Sequence, residues 1–408
     1  MPTEALHPDE ALRLVLHAAP PPVLELVPLG EAQGRALSKA LPALVDQPPF
    51  DKSAMDGFAH DPASPAELYR VVSAVAAGAS SSRVLGPGEC SRIMTGAPIP
   101  PGASAVQRVE WTEEAGKAAD CAVLVRFLKP EGVSNVIRRG ENLRAGEPLL
   151  SPRLLEPQDI GILAASGYGE VEVARRPLVG VVSTGDELCT PGTPLGPASI
   201  YDSNGPQLAA QARAAGCGAR FYGAVRDEPG ALEALLERAL EECDVVLVSG
   251  GVSMGDFDYV PRALEALGVE RVFHNLAMRP GKPTWFGRRG ATAAFGLPGN
   301  PVSTFVNFEV LVRPHLAARM GLAHEPRVVR ARLAAPLVRR GSDRVEFLPA
   351  RLERAGAGEG AEQAARPLGY HGSSMLNVLA EADCLLRMEL GRERIEEGSI
   401  VDARLLRA

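Results

Sequence analysis

The chain has 408 residues, 46% apolar and 23% charged, and its 43 Lys and Arg against 50 Asp and Glu leave a formal net charge of −7. Such a balance excludes a disordered chain and supplies apolar material for two to four domains at roughly 150 residues each. It also lacks the basic excess that nucleic-acid binding requires, so no nucleic-acid partner is expected.

Residues 9–18 (DEALRLVLHA) place Ala11, Leu14, Val15 and Ala18 at helical spacing, and Ala19-Pro20-Pro21-Pro22 stops the predicted helix. Nothing before it reads as a basic, apolar leader. Residues 23–45 follow no single period. From 46 to 140, short runs such as LYRVVSAV, SAVQRVE and CAVLVRFL alternate with Gly, Pro and Ser clusters, which predicts a small β-rich domain. LEPQDIGILAASGYGEVEV then returns to helix and strand. Between 177 and 322, strand runs at 178–183, 219–225, 244–249 and 292–297 alternate with helical runs, the signature of a mostly parallel, doubly wound sheet. The last ~85 residues read as short strands joined by turns, a small barrel or sandwich.

The six cysteines form no CxxC pair and the seven histidines no HxH or HxxxH pair, so neither a disulfide scaffold nor a zinc module is expected. No apolar run approaches the ~20 residues of a membrane span. A cytoplasmic chain with buried free thiols is the consistent expectation.

In an open parallel sheet, ligands bind beyond the carboxyl ends of the strands. Three strand ends here run into Gly-containing turns: Thr184-Gly185-Asp186-Glu187, Gly250-Gly251-Val252-Ser253-Met254-Gly255-Asp256-Phe257-Asp258, and Pro298-Gly299-Asn300-Pro301-Val302-Ser303. Any one could be an ordinary strand-to-helix turn. Three on one edge point to a site. Asn300 as N-cap and Pro301 at the first helical position predict a helix start with free N–H donors for an anion. The second turn matches neither GxGxxG nor GxxxxGK[ST], which argues against a dinucleotide site or an ATPase loop. Asp186, Glu187, Asp256 and Asp258, with Asp202 and Asp227 nearby, would repel an anion unless a cation such as Mg²⁺ lay between. Arg279-Pro280-Gly281-Lys282-Pro283 sets two cations around a tight turn, able to meet one oxyanion or to lie solvated on the surface.

Seven segments in order (FDKSAMDGFA, RIMTGAPIP, STGDEL, IYDSN, SGGVSMGDFDYV, RPGKP and GLPGNPVS) resemble the MoeA family of molybdopterin molybdenumtransferases, which includes the E domain of gephyrin. The resemblance runs from about residue 5 to 405. It implies an α/β multidomain chain. An elongated, partly helical domain would be built from 1–45 and 141–176, and a β-rich domain from 46–140. A central α/β molybdopterin-binding domain would span 177–325 and a C-terminal β-barrel 326–408. The implied reaction inserts molybdate into the dithiolene of adenylylated molybdopterin with Mg²⁺, releasing AMP and molybdenum cofactor. A homodimer whose active cleft is shared between chains is implied. So are a molybdopterin adenylyltransferase upstream and molybdoenzymes or cofactor carriers downstream.

Carried over residue by residue, Asp56 and Thr95 are catalytic and would be offered across the dimer. Glu187, Asp227 and Asp258 match acids of the central domain, with Asp258 and Glu187 as catalytic and metal-linked groups and Asp227 on the substrate. Ser249, Gly250 and Gly251 would line the pterin-phosphate pocket with Pro298, Gly299, Asn300 and Pro301. Arg279, Lys282, Ser303, Arg344 and Ser373 would hold molybdate. Three positions depart from the family pattern. Gly140-Glu141 is followed by Asn142, where an acid is usual, so no anionic ligand is expected there. Phe347 is followed by Leu348-Pro349, where the family frequently has Arg, with Arg351 nearby. Arg279 stands where Lys is common.

Other readings are an adenylyltransferase, a tungstate-inserting paralogue and a gephyrin-like scaffold. The first is usually a single domain of under 200 residues. Tungstate has nearly the size and charge of molybdate. Intact acids disfavour pure scaffolding.

Overall fold

The computed structural model describes residues 5–226, 229–252, 259–339, 341–355, 362–369 and 372–406. At its centre is a six-stranded sheet in the order Gly218–Val225, Leu178–Thr184, Val245–Ser249, Thr292–Leu297, Trp285–Arg289, Glu270–His274. The first four strands are parallel, Trp285–Arg289 runs opposite to them, and Glu270–His274 pairs antiparallel to Trp285–Arg289. All of Val245–Ser249 and nearly all of Leu178–Thr184 are buried, as continuous β-branched runs covered on both faces must be. Gly218–Val225 is an edge strand and alternates between exposed and half-buried residues.

Helix Pro229–Glu242 buries Leu232, Leu236, Ala239 and Leu240, one stripe at helical spacing, against one face of this sheet. Helix Asn204–Ala214 buries Leu208, Ala209 and Ala212 on the other, beside Val302 and Val306. Removing the leucine and valine side chains from water contributes about 1.5–3 kcal/mol each. The run predicted from 300 to 320 is helical throughout, as Pro301–Asn307, a π segment Phe308–Val312 and Arg313–Arg319.

The first helix, Pro8–His17, begins at His7, whose Nδ1 accepts from the Asp9 N–H at 3.3 Å. Its apolar stripe of Ala11 and Val15 packs into the central core, and the Val15 carbonyl lies 2.9 Å from His315 Nδ1. Residues 23–45, without a clear period in sequence, form the short strands Leu24–Pro28, Ala36–Leu37 and Leu41–Pro42. These pair with Glu170–Ala174, Arg153–Leu154 and Pro148–Leu150. Their pairing with strands more than 100 residues away explains the mixed local pattern.

A second six-stranded sheet orders Ala105–Arg108, Gly57–His60, Glu89–Ile93, Tyr69–Val75, Val123–Phe127 and Thr112–Lys117. A third joins Val345–Ala355, Glu362–Pro367, Val328–Leu333, Ile400–Leu405 and Cys384–Met388, and the last pairs back to the first, closing a five-stranded barrel. The two-residue strand Met278–Arg279 adds to its edge, so the central sheet and the barrel share backbone hydrogen bonds. Among the described residues, no helix is long and apolar enough to cross a membrane.

Candidate active site

The central strand order reverses between Leu178–Thr184 and Val245–Ser249, because the chain first builds outward on one side and then on the other. Such a reversal leaves a crevice at the carboxyl ends of those strands. A hollow of about 780 Å³ occupies that place, lined by Thr184, Gly185 and Glu187, by Ser249, Gly250 and Gly251, and by Pro298, Gly299, Asn300 and Pro301. The described residues of all three predicted turns therefore face one crevice.

Side chains hold the turns together. Asn204, at the start of its helix, donates from Nδ2 to Ser249 Oγ at 2.8 Å and to the Gly299 carbonyl at 2.6 Å. The Gly250 N–H donates to the Leu297 carbonyl at 3.1 Å. Gly250 has a φ of +98°, and a Cβ there would lie 2.3 Å from the Thr184 carbonyl oxygen, so only glycine lets the two strand ends close up.

A second hollow, of about 300 Å³, shares Pro283, Pro298 and Asn300 with the first. It is lined by Arg279, Lys282, Ser303, Arg344 and Ser373. The five residues carried over to molybdate thus surround one space, although they lie up to 94 positions apart. The turn bearing Arg279 and Lys282 is tightly fixed. Thr284 Oγ1 donates to the Gly281 carbonyl and to Asn307 Oδ1, each at 2.7 Å, and the Lys282 carbonyl accepts from the Leu276 and Thr284 N–H groups. Gly281, at φ +108°, passes so close to Asn307 that a Cβ would fall 2.0 Å from its Nδ2. Among the described residues, Lys282 has no ion-pair partner, whereas Arg279 is paired with Glu346 and Arg344 with Asp343. The hollow is accordingly cationic, with two hydroxyls among its walls.

The helix start at Asn300 differs from expectation. Asn300 occupies the N-cap position with Pro301 behind it, but its side chain makes no cap. Its Nδ2 donates instead to Ser373 Oγ at 2.8 Å, and the Val302 N–H donates to the Ser373 carbonyl at 3.0 Å. One of the donors expected to be free for an anion is thus spent on fastening the barrel to the central sheet.

Asp56 and Thr95 meet each other, but away from these hollows. Asp56 Oδ1 accepts from the Thr95 N–H at 2.7 Å and from Thr95 Oγ1 at 3.0 Å, at one end of the second sheet. Those two bonds, with Arg92 nearby, hold the Asp56 carboxyl below its ordinary range. Neither residue lines either hollow. Asp227 and Asp258 lie outside the described residues.

The sequence reading left Asp202 and Asn204 off the list of site residues, although both stand in the IYDSN segment. Asp202 is almost fully buried on the wall of the larger hollow. Its Oδ1 accepts from the Gly205 N–H at 3.0 Å, while its Oδ2 has no hydrogen-bond partner among the described residues. A short strand ending in Asp-Ser-Asn at a helix start was the available signal.

Matches to known proteins cover almost the whole chain. The MoeA N-terminal region (domain I and II) matches residues 6–167, the probable molybdopterin binding domain 180–318, and the MoeA C-terminal region (domain IV) 330–406. The chain belongs to the MoeA family. It is 34% identical to the molybdopterin molybdenumtransferase of Bacillus subtilis, over 98% of this chain and 94% of that protein. It is 38% identical to molybdopterin molybdenumtransferase 2 of Mycobacterium tuberculosis, over 76% and 80%. The crystal structure of the molybdopterin biosynthesis MoeA protein from Pyrococcus horikosii superposes with a TM-score of 0.83 at 31% identity, covering 99% of this chain and all of that one. Membership places this MoeA-family chain in molybdenum cofactor biosynthesis, among enzymes.

Proposed function

We propose that this MoeA-family chain inserts molybdate into the dithiolene of adenylylated molybdopterin and releases AMP. The observation that carries the proposal is the pair of adjoining hollows. The larger has the size and loop walls suited to a pterin phosphate. The smaller gathers Arg279, Lys282, Arg344, Ser303 and Ser373 around a space fit for a small dianion. Shared walls at Pro283, Pro298 and Asn300 bring the oxyanion up to the sulfur ligands. Reaction then follows from orientation, with the metal oxyanion held by cations and hydroxyls while the pterin is clamped by the three turns.

Among the described residues, no three metal-ligating side chains cluster. Mg²⁺ needs only one or two protein carboxylates beside substrate phosphate oxygens, and Glu187 on the crevice wall meets that requirement. Glu187 with Asp258 would hold it, and it would supply charge neutralisation at the phosphate. Asp227 belongs to the substrate side of the same reading.

Asp56 and Thr95 complete the site from a second copy of the chain in this reading, which makes the active form a homodimer with shared clefts. That neither lines the hollows of its own chain supports it. The four-domain division, a cytoplasmic location, an adenylyltransferase supplying the substrate and a molybdoenzyme or carrier receiving the product are parts of the same proposal.

The test is incubation of the purified chain with adenylylated molybdopterin, molybdate and Mg²⁺. AMP release that depends on molybdate, with cofactor formed, is expected. Absence of both from folded protein refutes the proposal. Heterodimers of an Asp56→Asn and an Asp258→Asn chain should recover activity in one cleft of two. No recovery refutes the shared cleft.

A further inference from the structure

The strand Met278–Arg279 runs parallel to the start of Val345–Ala355, in a register that sets Met278 beside Val345 and Arg279 beside Glu346. Neighbours in register share a face. Met278 and Val345 are wholly buried on one side, so Arg279 and Glu346 meet on the other. Glu346 is only 4% exposed. Its Oε1 lies 3.3 Å from Arg279 Nε, and its Oε2 lies 3.7 Å from Arg339 Nη1, too far for a hydrogen bond. Arg339 is also buried and cannot swing. Its Nε donates to the Arg392 carbonyl at 2.7 Å, its Nη1 to the Arg344 carbonyl at 2.6 Å and its Nη2 to the Glu389 carbonyl at 2.5 Å.

We propose that Glu346 is a positioning residue that holds the Arg279 guanidinium toward the oxyanion hollow, itself held in place by the buried Arg339. This rests on the oxyanion reading given above. The Arg279 side chain is 53% exposed, and an unbraced arginine there would sample rotamers that point into solvent and must be recaptured on binding. Glu346 engages its Nε edge and leaves the terminal nitrogens for the ligand. The same Arg339 donates to the backbone carbonyl of Arg344, whose side chain also lines the hollow.

Two effects of Glu346 oppose each other. Its negative charge near an anion site should weaken anion binding, whereas its fixing of Arg279 should strengthen it. Arg339 at 3.7 Å offsets the carboxylate's field, so the positioning effect dominates. The sign of a charge-neutral substitution therefore decides between them.

The experiment is calorimetric titration of the full-length chain with sodium molybdate, for wild type, Arg279→Ala, Glu346→Gln and the double variant. Glu346→Gln should weaken binding about tenfold, and in the transferase assay raise the KM for molybdate more than it lowers kcat. The double variant should bind no more weakly than Arg279→Ala alone, because the brace has nothing left to position. Binding by Glu346→Gln that equals or exceeds wild type, or full additivity in the double variant, overturns the inference. If Glu346→Gln does not fold, Glu346→Asp keeps the charge but shortens its reach. It should bind several-fold more weakly, and wild-type affinity in it overturns the inference. If wild type itself shows no saturable molybdate binding, the oxyanion reading fails first and is distinguished from failure of the brace.

Discussion

Substituting Gly250 by Ala tests whether the crevice depends on the close approach of two strand ends. The added methyl meets two penalties. A φ of +98° is a conformation that L residues avoid, at about 1–2 kcal/mol. The Cβ would also sit 2.3 Å from the Thr184 carbonyl oxygen, roughly 1 Å inside ordinary contact. Relief requires the turn to move off Thr184, against the bond from the Gly250 N–H to Leu297, and overpacking of this kind costs about 1–3 kcal/mol. Together these give about 2–5 kcal/mol. In a cooperative unit of roughly 150 residues each kcal/mol moves the midpoint by about 2–4 °C, so the thermal midpoint should fall by roughly 4–20 °C. Gly299→Ala is the control. A Cβ there would meet only the Gly250 Cα at 3.8 Å, an ordinary contact, and its midpoint should stay close to wild type. Differential scanning calorimetry of the three proteins reads both shifts. If Gly250→Ala unfolds with wild type, or Gly299→Ala is the more damaged, the close-approach argument is wrong.

Asp244 joins three groups at the foot of the central sheet: Arg175 at 2.7 Å, the Leu178 N–H at 2.7 Å and Arg319 at 3.3 Å. Burial pushes its carboxyl up, but these partners outweigh burial and leave it below its ordinary range. Its contribution is therefore complete above the unfolded value near pH 4 and is lost as pH falls through the lower folded value. Asp244→Asn should cost about 3 kcal/mol at pH 7, and its urea midpoint should converge on wild type toward pH 3; parallel curves would count against this account. Burial pushes the thiols of Cys90, Cys217 and Cys384 to about 12, whereas Cys121 is exposed. Brief alkylation at pH 8, read by peptide mass spectrometry, should label Cys121 and spare the other three until urea unfolds the chain. Equal labelling of Cys384 would contradict its burial.

The central sheet was legible because its information is local. Runs such as VVLV are apolar throughout, so they announce strands buried on both faces, and the glycines after them mark the turns that line the crevice. Helix edges followed from Pro301 and from the leucine spacing after Pro229. What escaped depends on partners remote in sequence. The apolar stripe of Ala11 and Val15 shows that the first helix is covered, but not that His315 and its neighbours cover it. Asn300 has the right chemistry for a cap, and only the position of Ser373 diverts it. The π segment at Phe308–Val312 has no signature in a run that reads as unbroken α-helix. Arg279 and Glu346 are paired by a two-residue strand too short to carry a periodicity. Asp56 and Thr95, 39 positions apart, meet only in the fold, where no local period links them.

The seam between the central sheet and the barrel has a consequence for biogenesis. Arg279, Lys282 and Ser303 come from one side of it, Arg344 and Ser373 from the other, and the stitches are backbone bonds from Val345 to Ala277 and from Val302 to Ser373. A nascent chain that has emerged only as far as its long helical run already owns most walls of the larger hollow. It acquires the remaining walls of the smaller hollow, Arg344 and Ser373, only when the barrel docks onto it. The smaller hollow is thus completed last, when Arg344 and Ser373 arrive beside Arg279, Lys282 and Ser303.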